Sequence, residues 1–184
     1  MESFDVVEIG AQAMGSATAW HLARAGRRVL LCEQFDLGHR RGSSHGGVRI
    51  FRHAYPDPTY VAMAAAALPI WRDLEHDAGE TLLELTGCYD HGPRHELTPI
   101  ADALSVHGIR HEWLSPAQAA ERTPGLRFDE AVLHHPDAGR CFADRTLGAL
   151  QRRCREHGGE IVAGTPARVR LVDGAAGPAV DVDI

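Results

Sequence analysis

The sequence predicts an α/β protein built on a Rossmann-like dinucleotide-binding unit. Three observations predict it: a short β-branched run ends at a glycine-containing turn, an alanine-rich helical stretch follows, and a second apolar run closes on an acid. Strand, turn, helix and strand within about thirty residues make a βαβ unit, whose crossover requires a parallel sheet.

The first strand is read over Phe4 to Ile9, bounded by Gly10 and taken as buried on both faces. Met14 to Ala25 carries Trp20, Leu22 and Ala23 at helical spacing, and Gly26 stops it. Arg28 to Cys32 is the second strand, ending at Glu33. From Gln34 to Gly47 glycine, serine, histidine and arginine dominate, which predicts a long loop rather than the next Rossmann helix. Tyr60 to Ala78 returns to helical spacing, but Pro69 removes a backbone donor and should kink or split that helix. Leu83 to Tyr89 reads as a strand, Ala101 to His107 and Pro116 to Glu121 as short helices. Asp144 to His157 reads as a helix with Asp144 as N-cap and Gly158-Gly159 as its end, and Glu160 to Leu171 as strands. No internal repeat or low-complexity linker interrupts the chain.

Composition excludes several functions. The 184 residues are 44% apolar and 24% charged, enough for one sizeable core. The longest apolar stretch, Tyr60 to Ile70, is too short to span a bilayer, and Glu2 and Asp5 stand where a signal peptide is basic, so a cytoplasmic protein without a membrane partner is expected. A net charge of -6 argues against nucleic acid and anionic lipid. All nineteen basic residues are arginine, which rules out a Walker lysine and a pyridoxal Schiff-base lysine within this chain. Cys32, Cys88, Cys141 and Cys154 show neither a CxxC pair nor zinc-ligand spacing and read as reduced thiols. His134-His135 and the His91/His95 pair likewise lack a completing carboxylate or cysteine at recognisable spacing and read as surface or core histidines, so no metal site is expected. Trp20, Trp71 and Trp113 read as core or interface residues.

Two motifs carry chemistry. In Gly10-Ala11-Gln12-Ala13-Met14-Gly15 the first glycine permits a tight turn and the last lets helix and strand pack closely, while Glu33 is placed to take a ribose hydroxyl. The middle glycine of this fingerprint is replaced by Gln12, whose side chain takes space a pyrophosphate needs at the helix N-terminus. Glu8, near the end of the strand, must be paired, protonated or turned out of the sheet. In the second motif, Gly42-Ser43-Ser44-His45-Gly46-Gly47-Val48-Arg49-Ile50-Phe51-Arg52-His53-Ala54-Tyr55, two arginines at i and i+3 beside small residues form an anion-binding surface.

This second motif resembles the stretch of monomeric sarcosine oxidases in which a glycine-serine-histidine loop leads into Arg-Ile-x-Arg-x-Ala-Tyr. Similarity continues through Tyr60-Val61, Leu74-Glu75, Leu82-Leu83, Thr86-Gly87, Gly92-Pro93 and Asp137-Ala138-Gly139, and so over nearly the whole chain. The family is that of FAD-dependent amine oxidases, the sarcosine oxidase and N-methyltryptophan oxidase group. The resemblance implies an FAD/NAD(P)-binding domain of the glutathione-reductase type, at residues 1–83 and 144–184, with part of an α+β substrate domain at 84–143. It implies oxidative demethylation of an N-methyl amino acid by O2, giving hydrogen peroxide and formaldehyde. Gly10, Ala11, Met14, Gly15, Glu33, Gly42, Ser43, Ser44, His45, Arg49 and Ala167 match cofactor-binding positions. Arg52 matches the arginine that holds the substrate carboxylate, and Arg49 and His45 match residues beside the flavin, so these three are the catalytic candidates.

The resemblance covers the family's amino-terminal half. The flavin-linking cysteine, the lysine associated with oxygen activation and further pocket residues belong to the other half, so a truncated member is expected, inactive alone and weakened in FAD affinity, unless a separately encoded chain completes it. Gln12, Glu8, Pro69 and the polar run Cys88-Tyr89-Asp90-His91 depart from the family pattern. A folded remnant serving as a binding or interaction module is the alternative. An NAD-dependent Rossmann enzyme is disfavoured by the Gly42 loop.

Overall fold

The computed structural model describes residues 3–174 and 177–184. The chain divides into two compact units, residues 1–47 with 143–184, and residues 48–142.

In the first unit, Val6–Ile9 (β1) and Val29–Glu33 (β2) flank the helix Ala13–Arg24 (α1), and Glu160–Ala163 (β9, numbered in chain order) completes a parallel sheet in the order β1-β2-β9. Val6 pairs with Val29 and Ile9 with Cys32, while Leu30 pairs with Glu160. All five residues of β2 are buried, as a central parallel strand requires. β1 instead lies at a sheet edge and Ile9 is 49% exposed, so this strand is not enclosed on both faces as its apolar run suggested. Glu8 accordingly sits half-buried. The helix Ala143–Glu156 (α5) packs with α1, which contributes Ser16, Ala19, Trp20 and Ala23 at helical spacing to the core. Trp20 is 1% exposed. The strands Arg168–Gly174 (β10) and Gly177–Asp183 (β11) form an antiparallel hairpin.

The approach of α1 to β1 depends on Gly15. A Cβ built there would stand 1.9 Å from the Gly10 carbonyl oxygen and 3.2 Å from Glu8 Cγ. Gly10 itself has φ +104°, a region that favours glycine. These two positions give the fingerprint its turn.

Asp144 is not the N-cap of α5. It lies inside the first turn, where its Oδ1 accepts from the Gly46 N–H at 2.7 Å and its own N–H donates to the Gly46 carbonyl at 3.1 Å. The carboxylate therefore ties down the glycine-serine-histidine loop instead of closing its own helix.

The second unit holds two antiparallel sheets and three helices. Arg49–Phe51 (β3), Leu83–Leu85 (β4) and Gly139–Cys141 (β8) form one sheet in the order β3-β8-β4. Cys88–Gly92 (β5), Glu112–Leu114 (β6) and Ala131–His135 (β7) form the other, in the order β5-β7-β6. The single strand read over Leu83 to Tyr89 is thus two strands in different sheets. The break is at Thr86-Gly87, whose two N–H groups both donate to the Ala138 carbonyl.

Pro58–Ala78 (α2) runs unbroken through Pro69, capped by Asp57, whose Oδ1 accepts from the Thr59 N–H. The expected split does not occur because Pro69 is exposed, where water can take over the carbonyl bond that proline removes. Arg94–Val106 (α3) begins seven residues before the Ala101 start read from sequence and also contains a proline, Pro99. Pro116–Arg122 (α4) opens on a capping box between Ser115 and Gln118. Val61 of α2 packs with Leu97 and Leu104 of α3 and with Leu133 of β7 in the core of this unit. That packing places residues 48–83 with 84–142 as one compact body, whereas the sequence division grouped them with the amino-terminal segment. Among the described residues no helix is long and apolar enough to cross a membrane. The four cysteines are free thiols, Cys32 and Cys154 buried and Cys88 and Cys141 half-buried.

Candidate functional site

A cavity of about 350 Å³ opens at the carboxyl ends of β1 and β2 in the first unit. Gly10, Gln12, Glu33, His39, Gly42 and Ala167 are among its lining residues. The ends of parallel strands are where open α/β sheets bind ligands, because the following loops diverge there.

Glu33 is the organising group. At 4% exposure it is the last residue of β2, and its Oε2 accepts from the Ala11 N–H at 2.9 Å while Oε1 accepts from the Phe35 N–H at 3.0 Å. Burial alone would raise this carboxyl. The two backbone donors and the adjacent His39 ring outweigh burial and hold it below its ordinary range. An ionised carboxylate has about four lone-pair sites, so two backbone bonds do not exhaust it.

His39, which sequence reading did not single out, belongs to the same cluster. Its Nδ1 accepts from the Arg41 N–H at 3.0 Å, which assigns the ring proton to Nε2. That nitrogen lies 3.3 Å from Glu33 Oε1 and 3.1 Å from the Gln12 amide nitrogen. Two donors cannot satisfy each other, and Gln12 Oε1 is buried without a hydrogen-bond partner. A half-turn of the Gln12 amide resolves both problems by turning its carbonyl oxygen to the His39 Nε2–H. The only signal for His39 in the sequence is the composition of the Gln34 to Gly47 loop.

Gln12 also closes on Gly42, where a Cβ would meet Gln12 Oε1 at 3.2 Å. Its side chain therefore lies between the glycine turn and the glycine-serine-histidine loop. Gln12 caps α1 by backbone alone, and the Ala13 N–H donates to Ser44 Oγ at 3.1 Å.

Of the sequence candidates, Gly10, Glu33, Gly42 and Ala167 converge on this cavity. Ala11 is buried and bonded to Glu33, Gly15 is packed under the turn and Ser44 holds the start of α1. Met14 is 82% exposed, Ser43 is exposed and His45 half-buried.

The arginines lie in the second unit. Arg49 is an exposed residue of β3 opposite Cys141, and its Nη1 donates to the Val48 carbonyl at 2.8 Å. Arg52 follows β3, with Nη1 3.6 Å from Asp90 Oδ1 and its guanidinium carbon 5.1 Å from the Tyr55 ring centroid. The i, i+3 spacing thus falls on a strand and its exit rather than on one helical face, and the two guanidiniums have different contacts.

Residues 5–182 match the family described as "DAO: FAD dependent oxidoreductase". The chain is 40% identical over 165 residues to the peroxisomal sarcosine oxidase of Mus musculus, covering 88% of this chain and 42% of that protein. It is 31% identical over 169 residues to the monomeric sarcosine oxidase of Bacillus sp. (strain NS-129), covering 89% of this chain and 44% of that protein. It therefore spans less than half the length of these relatives. Among solved structures it resembles NikD, an unusual amino acid oxidase essential for nikkomycin biosynthesis, with 30% identity and a TM-score of 0.77 over 100% of this chain and 48% of that one. The L-proline dehydrogenase of P. horikoshii shares the fold at a TM-score of 0.82 and 19% identity, over 99% of this chain and 50% of that one.

Proposed function

The chain belongs to the FAD-dependent oxidoreductase family, and from that premise we propose that it carries the adenosine-side cofactor site and the substrate-carboxylate anchor of a sarcosine oxidase-type amine oxidase. The carrying observation is the buried Glu33 carboxylate beside Gly10 and Ala167 in one cavity. An acid at the end of the second strand suits a ribose hydroxyl, which can donate to a lone pair that Ala11 and Phe35 leave free. The glycine turn and the packing of Gly15 suit close backbone approach to a pyrophosphate. These residues fit FAD at its ribose end, whereas the Gln12 side chain must leave its place over Gly42 for the phosphates to pass. That obstruction supports a second reading, a binding module with weak cofactor affinity.

Bound FAD would supply two-electron redox chemistry between an N-methyl amino acid and O2, with hydrogen peroxide and formaldehyde as products. The residues of this chain would bind and orient. Arg52 would hold the substrate carboxylate, because a guanidinium stays charged and offers paired donors. Arg49 and His45 would stand beside the flavin, with Ser43, Ser44 and Met14 at its phosphate side. Fixing the carboxylate limits the positions open to the N-methyl carbon, which lowers the entropic cost of reaction.

Anaerobic addition of sarcosine to the FAD-loaded chain, completed with the carboxy-terminal half of a sarcosine oxidase, is the direct test. Bleaching of the oxidised-flavin absorbance, restored by air with release of formaldehyde, is the expected result. A flavin that stays oxidised with sarcosine and with larger N-methyl amino acids would leave only the binding-module reading standing.

A further inference from the structure

The second unit contains a buried polar cluster that the proposed oxidase chemistry does not use. Antiparallel pairing of β5 with β7 sets Cys88 opposite His135, and Asp90 is two residues along β5 from Cys88. Side chains alternate along strands, so Cys88, Asp90 and His135 stand on one face of the sheet. Leu133 is on the same face, packed against Val61, Leu97 and Leu104. His134 points to the opposite face, where its ring lies 4.5 Å from that of Tyr89.

A thiol, a carboxyl and an imidazole beside an aliphatic core are costly to bury unless something satisfies them. His135 is 0% exposed, and neither of its ring nitrogens has a hydrogen-bond partner. Asp90 Oδ2 is buried and unsatisfied as well. One ligand atom from each of Cys88, Asp90 and His135 can be chosen so that all three lie within 4.8 Å of one another. His135 Nδ1 and Asp90 Oδ2 are 3.6 Å apart. That is too long for a hydrogen bond, but ligand atoms at about 2.1 Å from a tetrahedral zinc stand roughly 3.4 Å from each other.

We propose that Cys88, Asp90 and His135 form a three-ligand zinc site. Mixed sulfur, nitrogen and oxygen donors suit zinc and disfavour magnesium and calcium, which take oxygen. Binding converts the Cys88 thiol to a thiolate and releases its proton to solvent. Thiolate and carboxylate then balance the two positive charges of the ion, and a solvent oxygen completes the fourth position. Arg52, 3.6 Å from Asp90 Oδ1, stands on the other oxygen of the carboxylate and leaves Oδ2 for the metal. The sequence hid this site because its ligands come from two strands with two helices and another strand between them, with no local motif.

The test is titration of the untagged, chelator-treated full chain with Co2+ as a spectroscopic probe, followed by Zn2+. One equivalent of Co2+ should give a thiolate-to-cobalt charge-transfer band and intense tetrahedral visible bands, and one equivalent of Zn2+ should abolish both. Cys88→Ser should remove the charge-transfer band, and His135→Gln should weaken Zn2+ binding by at least about 100-fold, since even outer-shell changes cost 10- to 100-fold. Cys141→Ser and His134→Ala should leave the spectrum unchanged. Absence of a stoichiometric thiolate band in the unmodified chain overturns the proposal whether or not the variants fold. A band that survives Cys88→Ser, or one lost in Cys141→Ser or His134→Ala, overturns it equally.

Discussion

Arg52→Lys in the FAD-loaded chain carrying Gln12→Gly and completed with a family carboxy-terminal half should weaken binding of a carboxylate competitor, such as a thioether acetate, by about thirtyfold while flavin content stays constant. Lysine keeps the charge but loses the planar pair of donors that grips a carboxylate through two parallel bonds. Disrupting a buried charge pair costs about 2 to 5 kcal/mol. The Arg52 side chain is 41% exposed, so the low end applies, and about 2 kcal/mol corresponds to roughly thirtyfold. Arg49→Lys should differ. It is proposed to face the flavin, so its replacement should change flavin content or reduction rate more than competitor affinity. Competitor titrations of both variants, read from the flavin spectrum, separate the two roles. Equal affinity in wild type and Arg52→Lys, or a loss confined to Arg49→Lys, would reverse or remove the assignment.

Gly15→Ala should lower thermal stability by about 3 kcal/mol or more, at the upper end of what overpacking costs. The added carbon would meet the Gly10 carbonyl oxygen at 1.9 Å and its carbon at 3.1 Å, and backbone atoms cannot swing aside as a side chain can. For a chain of this size that loss corresponds to a drop in Tm of roughly 6 to 12 °C. Gly148→Ala supplies the contrast. Gly148 is an exposed position inside α5 with nothing within 4 Å of its added Cβ, so the change should stabilise by up to about 1 kcal/mol through helix propensity. Melting curves of the two variants test whether the close approach or the mere loss of a glycine matters. A Gly15→Ala protein that melts with wild type would show that α1 does not need its present distance from β1.

Local signals were legible wherever one element carried them. The βαβ unit could be read because β-branched residues, an alanine-rich helix and the Gly10 turn lie in succession, and Glu33 followed from its position at the end of β2. Three-residue strands such as β3, β4 and β8 are too short for a periodic signal, and they exist through pairing across distant sequence. Pro69 reads as a breaker because propensity is local, whereas its exposed position lets water serve the freed carbonyl and packing of Val61 against Leu97 and Leu104 helps hold α2 in place. Asp144 had the residue type of a cap, but its carboxylate is taken by Gly46, far away in the chain. His39 and the Cys88, Asp90, His135 face were hidden for the same reason. Neither has a sequence motif, and each depends on register or loop closure.

The cavity at the ends of β1 and β2 is proposed to receive FAD by its ribose end, with Gln12 limiting the affinity. Flavin fluorescence quenching during FAD titration of wild type, Gln12→Gly and Glu33→Gln measures both parts at once. Gln12→Gly should tighten binding about tenfold or more, because a side chain that fills the gap over Gly42 is removed from the phosphate path. Glu33→Gln should weaken binding in the Gln12→Gly background by about tenfold, the value of one charge-assisted hydrogen bond of roughly 1.5 kcal/mol. Wild-type binding that is already tight, unimproved by Gln12→Gly and indifferent to Glu33→Gln, would rule out both the ribose-end site and the Gln12 obstruction.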